Sequence, residues 1–301
     1  PDPHRPDSAA DRSHVARFAI LCAASYLALM FEIPQLTDRK ALMMHRARAK
    51  PHALFLHEEA LADVQDRLAM VNRTFNSTAI VTPFAEIWTP AFPDAMFVED
   101  TDILDLEEAT QDLVIHALSL HWANDPVGQL IQCRRALKPD GLLLVVALGG
   151  QTLHELRAAF AQAEADITGG LSPRVAPMAE IRDLGALMQR AGLALPVADS
   201  ATLTTTYASP LHLLHDLRAM GETNALAGRI RSITRRDVLF RMMQIYAETF
   251  AGDDGRIAAT FDLITLTGWS PDASQPQPLR PGSASQRLAD ALNTTETPLK
   301  D

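Results

Sequence analysis

The sequence predicts an α/β fold: an open, mostly parallel sheet with helices on both faces. Three observations predict it. Leu142 to Leu148 is apolar without a break, the pattern of a strand buried on both sides. Asp112 to Leu118 is a second strong strand. Strand and helix patterns then alternate along the chain, and a last long strand, Ala258 to Trp269, closes it.

The elements follow in order. Leu36-Thr37-Asp38 reads as a staple and N-cap before a helix rich in Arg and Ala, which Pro51 interrupts. A second helix runs from about Leu54 to Val71, with Leu54, Leu61, Val64, Leu68 and Val71 at helical spacing. Ala79 to Thr82 is a short buried strand ended by Pro83, and Pro83 to Trp88 is a turn with room for one helical turn. Ala95 to Val98 is another strand candidate. Asp125 caps a helix that runs to Leu137, and Lys138-Pro139-Asp140-Gly141 is a turn. Gly149-Gly150 leads into a helix of about a dozen residues starting near Thr152. Ala179 to Ala191 is a helix stopped by Gly192. Thr202 to Tyr207 is β-rich, and two helices follow, roughly Leu211–Met220 and Arg235–Phe250.

Composition bounds the function. The chain has 301 residues, 47% hydrophobic and 21% charged, which excludes a mainly disordered protein. Its net charge is 27 − 37 = −10. Such acidity argues against non-specific nucleic-acid binding, which depends on neutralising phosphates. Two distant cysteines, Cys22 and Cys133, provide no disulfide framework and no Cys-based zinc site, so a cytoplasmic setting is the simplest expectation. The apolar run Phe18 to Phe31 is too short to span a bilayer comfortably, and no stable membrane insertion is expected. Residues 1–29 are expected outside the folded domain, with a signal anchor or a docking helix as alternatives. Residues 30–75 form N-terminal helices, 76–270 the main domain with a helical insertion at about 150–250, and 271–301 a flexible tail.

The block from Asp112 to Leu148, with its Ser-Leu-His-Trp, Asn-Asp and Leu-Lys-Pro-Asp-Gly segments, resembles strands four and five of class I S-adenosylmethionine-dependent methyltransferases. The likeness extends to Gly149-Gly150-Gln151-Thr152-Leu153, Gly169-Gly170-Leu171-Ser172-Pro173 and Met220-Gly221-Glu222-Thr223-Asn224. Together these look like the respiratory complex I assembly-factor branch, whose mitochondrial members are arginine hydroxylases and which is related to malonyl-carrier-protein methyltransferase. The resemblance implies a Rossmann-like sandwich, S-adenosylmethionine as cofactor, and a protein substrate or partner, including a complex I subunit. A non-catalytic assembly factor or chaperone on the same fold is the alternative.

The cofactor end departs from that pattern. A glycine-rich loop after strand one normally lets the ligand approach bare backbone. Here the loop reads Thr82-Pro83-Phe84-Ala85, and no glycine lies between Ala53 and Gly128. Ile80 to Asp112 spans 112 − 80 = 32 positions, against on the order of 60 for three ordinary crossovers. The first half is therefore read as shortened. Either strand two and its ribose-binding acid are missing, or Asp100 ends the surviving strand and takes that role.

Carried over residue by residue, the resemblance places Thr82 and Phe84 at the loop, and Glu99 or Asp100 on the ribose. It puts Asp102 and Ile103 on the adenine side and Ser119 to Trp122 at the reacting end. His121 lies at the carboxyl end of a strand, where open sheets place their sites and where a histidine can act as a base, or it caps a turn. Trp122 reads as core or substrate wall. Glu222 and Asn224 line a substrate site or cap helices, and Arg174 holds a carboxylate or a protein partner. The acids from Glu99 to Glu108 read as a solvated edge or as a rim that attracts cations. His116 is expected to be packed. His212 and His215 lack a third metal ligand, and no metal is expected. The arginines from Arg229 to Arg241 are expected on a solvated or docking face.

Overall fold

The computed structural model describes residues 35–276 and 292–294. The expectations for residues 1–29 and for most of the tail lie outside the described residues.

Helix α1 (Arg39–Arg46) starts at Asp38, whose Oδ1 accepts the Ala41 N–H at 3.1 Å. A 3-10 turn (Pro51–Ala53) leads to α2 (Phe55–Met70). Strand β1 (Thr78–Val81) is followed by one helical turn, α3 (Ala85–Trp88), and by β2 (Met96–Val98). Strand β3 (Gln111–Ala117) runs into a 3-10 turn (Leu120–Trp122) and α4 (Pro126–Ala136), capped by Asp125 onto Gly128 N–H at 2.8 Å. Then come β4 (Leu137–Gly149), α5 (His154–Thr168), α6 (Ile181–Arg190), β5 (Ala194–Tyr207), α7 (Pro210–Met220), α8 (Arg236–Phe250) and β6 (Ile257–Trp269).

The six strands form one sheet in the order β2-β1-β3-β4-β6-β5. The pairs β1–β2, β1–β3 and β3–β4 are parallel, while β6 runs antiparallel to both β4 and β5. Both faces are covered, as the apolar runs require. In β4, Leu142, Leu144, Val146 and Leu148 pack with α2, α5, α7 and α8. Leu143, Val145 and Ala147 pack on the other side with α4 and α6. On that second side Cys133 is fully buried, and burial pushes its thiol up to about 12.

Two elements differ from expectation. Lys138 to Gly141 is not a free turn but part of β4. Asp140 takes φ +57°, and the β3–β4 register jumps between Gln111 and Leu113, so the residues bulge out of the ladder. Strand β5 begins at Ala194 rather than near Thr202, so the stretch anticipated as a helical insertion also holds an edge strand. Pairing with β6, not local composition, decides it.

The first half is short: a single strand, β2, lies outside β1, and Asp100 stands two residues beyond its end.

Leu144 sits mid-strand at 1% exposure between β3 and β6. Leu144→Ala is expected to cost about 2–5 kcal/mol, read as a lower urea midpoint with unchanged slope.

Candidate functional site

The carboxyl ends of β1, β2, β3 and β4 converge on one edge of the sheet, and the candidate residues divide there into two groups. The first surrounds Asp100, which is 4% exposed. Both of its carboxylate oxygens take Arg46 Nη1 at 2.8 Å. Arg39 adds a contact to Oδ2 at 3.3 Å and another to the Asp100 carbonyl. Both arginines belong to α1 and lie seven residues apart, on one helix face. The helix entry is fixed by Asn124, whose Oδ1 accepts the N–H groups of Leu36 and Thr37, both at 2.9 Å.

The β1 loop is closed on itself. Thr82 Oγ1 accepts the Phe84 N–H at 3.2 Å, and the Phe84 ring stands edge-on against His57 at 5.0 Å between centroids. Both Thr82 and Phe84 are buried. Glu99, Asp102 and Ile103 are exposed, and Ile103 is 83% exposed. The Thr101 and Asp102 carbonyls instead accept the side-chain amides of Gln129 and Gln132, which tie this loop to α4. Ser119 is buried against His116 Nδ1 at 3.4 Å, and His116 packs inside the sheet as expected, its Nε2 2.9 Å from Gln129 Oε1.

S-adenosylmethionine in its customary pose needs space over the β1 loop and a free carboxylate after the next strand. Neither is present. The phenyl ring and His57 fill the first, and two guanidinium groups hold the second. The void between His57, His121 and Glu222 measures about 10 Å³, room for about one water molecule. The described residues therefore do not fit that cofactor in its ordinary position.

The second group is the reacting end. Glu222 follows Gly221, the C-cap of α7, where φ is +82° and an added Cβ would meet Arg46 Cα at 3.1 Å. Glycine there admits the backbone of α1. Glu222 Oε2 accepts the Trp122 indole N–H at 2.7 Å and stands 3.3 Å from His121 Nε2. Burial opposes charge on this carboxyl, but His121, the Arg46 guanidinium and the indole N–H outweigh it and pull it down to about 2. Burial also pushes His57 down to about 4, opposed by Glu222 and reinforced by Arg46.

Beside Glu222 opens a cavity of about 490 Å³, walled by Leu148, Leu156, Phe160 and Met178. Arg174 lines it but is already bound to Glu164 at 2.7 Å and to Thr234 at 2.9 Å. Arg229, at the rim, pairs with Asp38 at 3.0 Å. Asn224 donates to the Pro173 carbonyl at 2.7 Å and accepts from Leu226 N–H, so it staples two loops together. The structure thus brings Trp122, Glu222, Arg174 and Asn224 to the wall of one cavity, while His121 lines the small void on the other side of Glu222. It adds Arg39, Arg46 and His57, which sequence reasoning passed over. The only signal for them was the seven-residue spacing of the two arginines.

Among the described residues no group of three or more His, Cys, Asp or Glu is placed to hold a metal ion. Likewise no helix among them is long and apolar enough to cross a membrane.

A methyltransferase domain model matches residues 59–145. Arginine-hydroxylase NDUFAF5, mitochondrial, of Danio rerio is 36% identical over 202 residues, covering 67% of this chain and 63% of that protein. The Homo sapiens protein of the same name is 36% identical over 192 residues, 64% of this chain and 55% of that one. Malonyl-[acyl-carrier protein] O-methyltransferase of Laribacter hongkongensis is 35% identical over 179 residues, 60% of this chain and 58% of that one. The chain thus spans 55–63% of the length of these curated relatives. Among solved structures, a putative methyltransferase of Bacillus halodurans aligns with TM-score 0.45 at 13% identity, over 70% of this chain and 99% of that one. The resemblance to class I methyltransferases, and to the arginine-hydroxylase branch among them, is borne out by sequence.

The two shifted groups set an acid limb. His57 is held below its usual 6.5, so its contribution to stability is complete above 6.5 and is lost as pH falls toward 4. Glu222 is held below 4.5, so its contribution is lost only as pH falls from there toward 2. Melting curves across this range are expected to decline in two stages, with His57→Leu reducing the upper stage, to which the buried His116 and the half-buried His45 also contribute, and Glu222→Gln reducing the lower.

Proposed function

We propose that this chain is a methyltransferase-family protein that acts on a protein partner in the assembly of respiratory complex I, and that it engages a basic side chain of that partner at Glu222. One observation carries the reading: an ionised, largely buried carboxylate faces an apolar cavity whose two arginines are already paired. A cation on an aliphatic stem complements both charge and wall, and a guanidinium gains the most because it can bind a carboxylate in two-point fashion. Trp122 offers a ring beside that carboxylate and is itself held by it. The names of the relatives, arginine hydroxylases, agree with that class of side chain.

His121 has a place in this scheme. Its Nε2 stands 3.3 Å from the same carboxylate and orients it for the bound side chain, which as a guanidinium keeps its proton. The cytoplasmic setting expected from cysteine usage belongs to the same proposal; the relatives carry "mitochondrial" in their names.

A second reading, an assembly factor that binds its partner without cofactor turnover, rests on the closed β1 loop and the paired Asp100 alone; the relatives do not favour it. Calorimetric titration with S-adenosylmethionine separates the two. A dissociation constant below about 100 μM, roughly −5.5 kcal/mol, that Asp100→Ala weakens supports the enzyme. Absence of heat supports the binder.

The basic-side-chain assignment is tested with arginine-centred peptides drawn from complex I subunits and with their uncharged citrulline counterparts. Arginine peptides are expected to bind at least tenfold tighter, about 1.4 kcal/mol, and Glu222→Gln is expected to erase the difference. Equal binding of both peptide sets by the unaltered protein rejects the assignment.

A further inference from the structure

We propose that helix α1 is an internal occupant of the nucleoside cradle: Arg46 and Arg39 hold Asp100 in the place of a ligand, so that nucleoside binding and the docked position of α1 exclude one another. This goes beyond the partner-binding reading and does not depend on it.

The geometry supports it in three ways. First, Asp100 stands two residues beyond the strand beside β1, where the resemblance implies a ribose-holding acid, and both its oxygens are taken by Arg46. Second, the Arg46 side chain is only 8% exposed, yet its Nε and Nη2 are buried without partners. A guanidinium that is desolvated and satisfied on one edge alone is held by its surroundings rather than by its own bonds. The neighbouring His57 Nδ1 and His121 Nδ1 are also buried and unpartnered. The region therefore carries unused donor and acceptor capacity, as expected of a ligand site packed shut.

Third, α1 is joined to the segment that carries Glu222. Asp38 N–H donates to Ala225 O at 2.7 Å, Lys50 N–H donates to Ala219 O at 2.8 Å, and Thr37 bridges Leu226. Asp38 also pairs with Arg229, at the cavity rim. A helix that leaves Asp100 thus pulls on the strap that positions Glu222. Loading of the cradle and the shape of the partner cavity are then linked through one element, which is the condition for coupling between two sites.

The test is calorimetric titration of S-adenosylhomocysteine into the full chain, the Arg39→Ala/Arg46→Ala variant and the Arg46→Lys variant. The double variant is expected to bind at least tenfold tighter than the unaltered protein, and Arg46→Lys, which keeps the charge, to stay within about threefold of it. Equal affinity in the unaltered protein and the double variant, weaker binding in the double variant, or no binding in either overturns the proposal.

If the double variant does not fold, hydrogen exchange of the unaltered protein decides. Millimolar S-adenosylhomocysteine is expected to speed exchange of the Leu42 to Arg46 amides, and unchanged or slower exchange overturns the proposal. Failure here leaves the citrulline comparison standing, because that experiment reads Glu222 and needs no nucleoside.

Discussion

The ion pair between Asp100 and Arg46 organises the carboxyl edge of this sheet. A charge taken out of water is costly, and a buried pair is tolerated only where geometry returns most of that cost. Here two 2.8 Å contacts from one nitrogen, with Arg39 beside it, fasten an N-terminal helix across the end of the strands. Everything else at that edge is arranged around the helix. Gly221 has no side chain because the helix backbone passes it, Asn124 captures its entry, and the Ala219 to Ala227 segment lies against it.

The same arrangement explains why a single carboxylate dominates the cavity side. Arg174 spends its charge on Glu164 and Arg229 on Asp38, so neither acts as a free cation toward the cavity. Glu222 has two side-chain partners in direct contact, the Trp122 indole N–H and the His121 imidazole. The field of Arg46 adds to these from the far side. A helix whose basic residues close one half of the site therefore also maintains the charge of the other half. Substitution at Arg46 should be interpreted with both consequences in mind.

Much of this was legible in the sequence. Continuous apolar runs marked β3 and β4, because a strand covered on two faces must be largely apolar. Asp38 and Asp125 announced their helices through side-chain chemistry that acts over three residues. The amino half of β5 was not legible. Ala194 to Ala201 contains Pro196 and Asp199, and only a partner strand makes it extended. The Lys138 to Gly141 segment carried a turn signature that was locally right, since Asp140 is left-handed, but its ladder continues on either side. At the site, His121, Trp122 and Glu222 could be singled out one by one, whereas Arg39 and Arg46 could not be joined to Asp100. Their separations of 61 and 54 residues leave no periodic trace.

The bulge in β4 has a consequence for the architecture. It lies at the amino end of the strand, where Asp140 is tied to Arg73 and Gln275 and Gly141 accepts from Ser270. Leu142 onward runs in unbroken register to the opposite rim. The ladder irregularity of β4 thus lies at the opposite end of the strand from the candidate site. Loops grafted or lengthened there would leave the functional rim undisturbed, and so that end is the natural place to attach a label or tether.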